Sequence, residues 1–178
     1  MNAKPLKTER LYLRSFEAGD AEMMFASYCH DEEVCRYLTW NPHPDLNATK
    51  AFLAFKMGDQ VKPYHYAWAI TKEGRIIGSI DVVAVYEDKG FEVGYCLEKD
   101  AWGQGYMSEA FHAVLSFLYF KAGFNYAIMK ADVRNTRSRH VIEKQGFIYD
   151  HDDDEDLPLK KTTARVAVYR QEKADFVK

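Results

Sequence analysis

Two stretches about thirty residues apart carry the residue types that could do chemistry. They are Leu97-Glu-Lys-Asp-Ala-Trp-Gly-Gln-Gly-Tyr-Met-Ser-Glu-Ala110 and Asn135-Thr-Arg-Ser-Arg-His-Val-Ile-Glu-Lys-Gln-Gly-Phe147. The first is a glycine loop running from an apolar strand into a helical pattern, where backbone N–H groups left free at a helix start, together with the helix dipole, seat phosphate. The second reads as a short helix with both ends marked: Asn135 is an N-cap, and Gly146 with Phe147 makes a C-terminal cap. Together the two stretches point to an acyl-CoA site.

Two other nucleotide readings of a glycine loop fail on residues. A P-loop needs Gly-Lys-Ser/Thr to bring an ammonium to the phosphates and a hydroxyl to magnesium, and the chain has no such sequence. A dinucleotide fingerprint fits Gly103 and Gly105, with Asp132 at a tolerable distance for a ribose, but Ser108 holds the place of its third glycine. That fold also builds several βα units after its loop. Here one more helix and a strand-rich tail follow, which leaves it a minor alternative.

The strand Phe91-Glu-Val-Gly-Tyr-Cys-Leu97, then Trp102-Gly-Gln-Gly-Tyr106 with Ser108-Glu-Ala110, then Asn135-x-x-Ser138 ending in Glu143-Lys-Gln-Gly-Phe147, resembles the GNAT acetyltransferases, and within them the RimJ/RimL-like branch. Thr8-Glu-Arg-Leu-Tyr-Leu-Arg14 extends the resemblance to the N-terminal side, so that it runs from about residue 8 to the end. The superfamily loop reads Gln/Arg-x-x-Gly-x-Gly/Ala. In this chain Trp102 takes the first place and Met107 the last, which brings a bulky side chain beside the phosphates; backbone amides do the binding, so affinity for CoA should survive.

The resemblance implies an acetyl-CoA-dependent transfer of acetyl directly to a primary amine. The pantetheine arm would lie along the Phe91 to Leu97 strand on backbone groups near Tyr95, Cys96 and Leu97. The pyrophosphate would sit on Trp102, Gly103, Gln104, Gly105, Tyr106 and Met107, with Asn135 and Ser138 close by. In this branch the serine of Asn-x-x-Ser lies near the CoA sulfur, so Ser138 is the candidate proton donor to the leaving thiolate, with Tyr106 and solvent as competitors. As cap and first-turn residue, Asn135 and Ser138 also have structural explanations.

Alternation along the same strand puts Phe91, Val93, Tyr95 and Leu97 on one face and Glu92, Gly94 and Cys96 on the other. A glycine in mid-strand permits close approach of a ligand, and a carboxylate two residues away can reach an amine directly or through water. Glu92 is therefore the candidate general base; read alone, it is a solvated glutamate on a half-exposed strand. Tyr37, Trp40 and the Pro42-His-Pro44 segment could line the acceptor groove, though Tyr37 and Trp40 equally suit a core. Cys96 lacks an activating base in the sequence for an acyl-enzyme.

The acceptor amine is the open question. An N-terminal α-amine with a pKa of about 7.7 to 8.0 is roughly a tenth neutral at pH 7, at a cost on the order of 1 kcal/mol, whereas lysine at about 10.4 costs roughly 4 to 5 kcal/mol. A protein N-terminus is thus the chemically easier acceptor. A polyamine, amino acid or amine antibiotic is the alternative within the class, and a catalytically silent acyl-CoA-binding module is the alternative outside it.

The rest of the chain must position these groups. A chain of 178 residues with 47% hydrophobic and 15% aromatic residues supports a single domain, which the resemblance implies is an N-acetyltransferase domain spanning 1–178 with its core from about residue 8 to about 172. A net charge of −3 supplies no basic field for nucleic acid. Neither a secretory leader nor a membrane span is legible. Cys29, Cys35 and Cys96 form an odd set without metal spacing, and the six histidines are scattered, so reduced thiols in the cytoplasm and no metal are expected. The run Asp150-His-Asp-Asp-Asp-Glu-Asp156 reads as a solvated hairpin tip that could steer a basic acceptor; Glu155 and Lys161 spoil its calcium-loop pattern.

Arg10 to Phe16 alternates as a strand, and Asp20 is placed to cap a helix with Met23, Met24 and Phe25. Residues Asp31 to Leu38 and Asn47 to Gly58 read as helices. Tyr64 to Thr71, Arg75 to Tyr86 and Phe91 to Leu97 form a meander. Met107, Ala110, Phe111, Val114, Leu115 and Leu118 share one helix face, with Gly123 as its stop. A strand from Asn125 to Val133 leads to Asn135. The expected architecture is mixed α/β (α+β), a central, mostly antiparallel sheet with helices on both sides, which is the GNAT acyl-CoA N-acyltransferase fold. By analogy the resemblance also allows a homodimer.

Overall fold

The computed structural model describes residues 3–59 and 65–177. One sheet of eight strands organises it: β1 (Leu6–Lys7), β2 (Tyr12–Arg14), β3 (Ala67–Lys72), β4 (Arg75–Val85), β5 (Gly90–Leu97), β6 (Tyr126–Asp132), β7 (Ile148–Leu157) and β8 (Thr162–Glu172), in the order β1-β2-β3-β4-β5-β6-β8-β7. Every neighbouring pair is antiparallel except β5 and β6. That parallel pair meets only at Gly90, Phe91 and Glu92, opposite Tyr126, Ala127 and Ile128. From Val93 onward the two strands part, while β5 stays paired to β4 as far as Leu97 opposite Gly78.

Helices cover both faces, as the pattern predicts. On one face lies α4 (Tyr106–Phe117), whose Met107, Ala110, Phe111, Val114 and Leu115 are buried against Phe91, Val93 and Leu97 of β5. Its stripe of apolar side chains at helical spacing is what drives this packing. Next to α4 is α5 (Thr136–Lys144), where Asn135 Oδ1 accepts the Ser138 N–H at 3.2 Å as the expected N-cap. Phe147, just past Gly146, stacks on Phe111 with ring centroids 5.7 Å apart. The opposite face is covered by α1 (Ala21–Met24), the helical turn Phe25–Cys29 after it, α2 (Glu32–Cys35) and α3 (Leu46–Asp59), which bury Met24, Tyr28, Val34 and Leu53 against Ala67, Ala69, Ile76 and Cys96.

Several elements differ from their sequence pattern for identifiable reasons. The strand expected over Arg10 to Phe16 is only Tyr12–Arg14, with the short β1 pairing to it. Asp20 does not cap α1 with its side chain; its carboxylate takes both terminal nitrogens of Arg14 at 2.8 Å and the Glu17 N–H at 2.8 Å. A bidentate, charge-assisted pair outcompetes a neutral cap for the same oxygens. The helix expected over Asp31 to Leu38 is a single turn, capped by Asp31 through the N–H groups of Glu33 and Val34. Tyr64, the expected start of the meander, lies outside the described residues.

The acidic run is the largest departure. It forms the body of β7, and the hairpin turn is Pro158–Lys160, closed by Lys161 in the left-handed region at φ 52°. Alternation divides the charges between two faces: Arg165 meets Asp152 and Asp154, Thr163 donates to Asp156, and Glu155 approaches Lys130 of β6. Neutralising partners on adjacent strands make a charged strand tolerable, and a charged strand suits the sheet edge that β7 occupies.

Two tests follow from how the loop and β5 are held. A Cβ on Gly78 would stand 2.3 Å from the Cys96 carbonyl oxygen, so β4 approaches β5 only because residue 78 lacks one. Gly78→Ala should lower stability by about 2 kcal/mol, or a melting temperature by roughly 4–8 °C; an unchanged melt would refute the tight approach. Glu109 accepts from Thr8 Oγ1 at 2.6 Å, Arg10 N at 2.8 Å and Arg10 Nε at 2.7 Å, tying the N-terminal strand region to α4. Burial pushes its carboxyl up, but these hydrogen bonds outweigh burial and hold it below the ordinary value. Its contribution is therefore present above the unfolded pKa of about 4.3 and is lost as pH falls through the lower folded value. Denaturant melts of Glu109→Gln should show lower stability at pH 7 and a shallower acid loss; parallel pH curves for the two proteins would contradict this.

Candidate active site

The parting of β5 and β6 opens a cavity of about 440 Å³ between β5, the glycine loop, α5 and the segment after α2. This lies within the usual range for small-molecule sites. Tyr95, Cys96 and Leu97 from β5, Trp102, Gly103 and Gly105 from the loop, Tyr106 and Met107 from the first turn of α4, Asn135 and Ser138 from the α5 start, and Tyr37 all line it. Three residues singled out in the sequence do not: Gln104, Glu92 and Trp40.

The loop has the shape its glycines require. Gly103 and Gly105 have φ of +72° and +79°, a region that any side chain would strain, and their alternation with Gln104 turns the chain sharply into α4. No side chain caps α4, whose N-terminal N–H groups therefore face the cavity end of the helix without a side-chain acceptor. Gln104 serves the loop from outside: its Nε2 donates to Asp100 O at 2.7 Å, and its own carbonyl accepts from Arg10 Nη1 at 2.9 Å. Met107 is buried in the main core at 6% exposure, so its side chain forms floor beneath the loop. Trp102 is pinned by its Nε1 donating to Leu97 O at 2.8 Å, and the guanidinium of Arg137 lies 3.9 Å from the centre of its ring.

Across the cleft, Tyr95 Oη lies 3.1 Å from Ser138 Oγ and 3.2 Å from Ser138 O. When Tyr95 donates to the carbonyl, the serine proton can point to the phenol oxygen; when it donates to Oγ, the serine proton is free to point elsewhere. Burial pushes the Tyr95 phenol well up, so it stays protonated at any ordinary pH. The pair is a neutral hydroxyl relay that can hand a proton to an acceptor in the cleft. Alternation alone assigns Tyr95 to the apolar side, and the hydroxyl contact emerges only when α5 docks.

Cys96 packs on the opposite side, with Ser79 Oγ 3.6 Å from its sulfur, and burial raises its thiol pKa. A protonated, buried thiol is a poor nucleophile. Glu92 sits where β5 and β6 still touch, accepting from Tyr86 Oη at 3.1 Å and facing Lys130 Nζ at 3.3 Å. Its side chain is 12% exposed, on the Cys96 side of the sheet. Trp40 packs on His43 and Phe52, with ring centroids at 5.0 and 5.4 Å, and lies half-buried against the core around α3. Tyr37 remains at the cavity edge with the Arg134 guanidinium 5.7 Å from its ring. The β7–β8 turn closes this side: Lys160 Nζ donates to Cys35 O at 2.6 Å and Arg36 O at 3.0 Å, and Asn41 Nδ2 to Leu159 O at 2.9 Å. Among the described residues no group of three His, Cys, Asp or Glu side chains could hold a metal ion, and no helix is long and apolar enough to cross a membrane.

These features can now be set beside known proteins. The sequence model of the Acetyltransferase (GNAT) domain matches residues 10–148. The uncharacterized N-acetyltransferase p20 of Bacillus licheniformis is 24% identical over 83% of this chain and 86% of its own. Among solved structures, a GNAT-family acetyltransferase from Bacillus anthracis superposes with a TM-score of 0.84 at 22% identity, covering 96% of this chain and 99% of that one. RimL, a ribosomal-protein alpha-N-acetyltransferase in complex with coenzyme A, gives 0.85 at 17% identity, covering 95% and 98%. A sheet that splits at β5 and β6, a glycine loop leading into α4 and a domain match over most of the length agree: this chain belongs to the GNAT acetyltransferase family and is an N-acetyltransferase.

Proposed function

We propose that the cavity binds acetyl-CoA and that the protein transfers its acetyl group directly to a primary amine, a protein N-terminal α-amine in the manner of the RimJ/RimL-like branch. The observation that carries this reading is the Tyr95–Ser138 hydroxyl pair, which stands across the split between β5 and β6 from the glycine loop at the start of α4. A thioester whose phosphates rest on that loop has its acyl end beside the pair. The fold shared with a coenzyme A complex of RimL supports the donor, and the arithmetic of amine protonation supports an α-amine. We place the activity in a single cytoplasmic domain. A polyamine or other small amine is the competing acceptor.

In this mechanism a neutral amine attacks the thioester carbon, a β5 backbone N–H near Tyr95 or Cys96 stabilises the oxyanion, and the thiolate leaves with a proton from Ser138, which Tyr95 orients and which regains its proton from solvent as the products leave. Glu92 takes the amine proton. Because it lies at the rim where β5 and β6 meet and not in the cavity wall, that transfer runs through water. Lys130 and Tyr86 hold its carboxylate in place there.

The first test is acetyl-CoA-dependent release of CoA thiol across N-terminal peptides, polyamines and amine antibiotics. Turnover on peptides supports the reading, turnover confined to small amines transfers it to metabolic chemistry, and binding without turnover on any amine reduces the protein to a binding module. In single-turnover measurements Ser138→Ala should slow acetyl transfer by about a hundredfold and Tyr95→Phe by about tenfold, with acetyl-CoA affinity little changed; a normal chemical step in Ser138→Ala removes it as the donor. Glu92→Gln should lower kcat/KM. An unchanged rate would end its role as base.

A further inference from the structure

The residue that stands out near the loop is one the sequence motifs pass over. Arg137 lies in the first turn of α5, exposed, at the cavity wall, with its guanidinium stacked 3.9 Å from the centre of the Trp102 ring. Among the described residues six arginines are salt-bridged to carboxylates, whereas Arg36, Arg137 and Arg139 are not. Arg137 has no acidic partner among the described residues. Its position is also electrostatically unfavourable, since a cation in the first turn opposes the helix dipole. A cation held there without a counter-ion is explained when the ligand supplies the counter-ion.

The surroundings say what kind of ligand. Along α5, Arg137, His140, Val141 and Lys144 follow the i, i+3, i+4, i+7 spacing of one helix face, and all four line the cavity. Among the described residues the single carboxylate in the lining, Glu33, is engaged by Lys99. The wall opposite the glycine loop is therefore basic. Trp102 is fixed by its bond to Leu97 O and packs against both core clusters, so it is a rigid platform. A planar guanidinium laid on it is pre-oriented beside Gly103 and Gly105, with its edge available for paired bonds to phosphate oxygens.

We propose that Arg137, stacked on Trp102, is a diphosphate clamp that closes over the donor from α5 while the loop amides hold it from below. The proposal rests on the acetyl-CoA reading of the cavity and assigns a specificity role to a residue at one of the unspecified positions of Asn135-x-x-Ser138. A diphosphate is favoured over the 3′-phosphate because the guanidinium is fixed to the loop's own tryptophan, whereas Lys144, two helical turns further along the same face, is the cation placed for a more distant phosphate.

The experiment measures dissociation constants of acetyl-CoA, acetyl-dephospho-CoA and S-acetylpantetheine for the native protein, Arg137→Ala and Arg137→Lys, with thermal melts to show that the variants fold. Arg137→Ala should weaken acetyl-CoA and acetyl-dephospho-CoA equally, by about tenfold or more, and leave S-acetylpantetheine unaffected. Arg137→Lys, which keeps the charge and loses the planar stack, should recover only part of the loss. Equal affinities in native protein and Arg137→Ala would overturn the clamp, as would a loss that disappears with acetyl-dephospho-CoA, which would assign Arg137 to the 3′-phosphate. A similar loss for S-acetylpantetheine would show a merely structural effect and also overturn it. Failure of the native protein itself to bind acetyl-CoA would bring down the reading of the cavity, and the clamp with it.

Discussion

Everything in the site depends on the place where β5 and β6 stop pairing. Three residue pairs hold them parallel, and then β5 continues with β4 alone, leaving its other edge without a strand. Unpaired backbone groups in a protein interior are costly, so such an edge persists only where something else meets it. Here α5 docks across the gap, with Tyr95 hydrogen-bonded to Ser138, and the remaining opening is the cavity. The tight approach of β4 at Gly78 fixes β5 from its other side. The two constraints together make the cleft a rigid feature of the sheet.

Charge is distributed to match. Cations line the α5 wall and surround the glycine loop, where Arg10 lies 4.5 Å from the Tyr106 ring centre and Arg137 covers Trp102. On the opposite side of the sheet carboxylates accumulate: Asp81 with Lys56, and Glu92 and Glu155 either side of Lys130. One Lys130 ammonium between two carboxylates leaves an excess of negative charge on that side. An anionic donor and a cationic amine entering from different sides would each meet the opposite charge, which favours encounter without requiring a net-basic or net-acidic protein.

Much of this was legible before the fold. The stripe on α4, the Asn135 cap and the glycines at positive φ follow from local rules, because helix periodicity, capping and left-handed backbone depend on neighbours within a few residues. The acidic run shows the limit of such rules. Density of charge reads as a loop, but in β7 the charges are answered by Arg165 on β8 and Lys130 on β6, partners that sequence spacing does not reveal. Asp20 fails as a cap for the same reason, since Arg14 reaches it from the end of β2.

The sequence by itself determined the family resemblance, the class of chemistry and the identity of the loop, because those reside in contiguous residues whose backbone geometry is set locally. Only the tertiary structure decided which of the named groups share a cavity. It brought Tyr95 to Ser138 and Arg137 to Trp102, laid Trp40 against the core around α3, and set Glu92 at the rim beside Lys130. All of these but the Trp40 contact join residues dozens of positions apart. Their distances are fixed by where strands part and helices dock, and no local pattern encodes that.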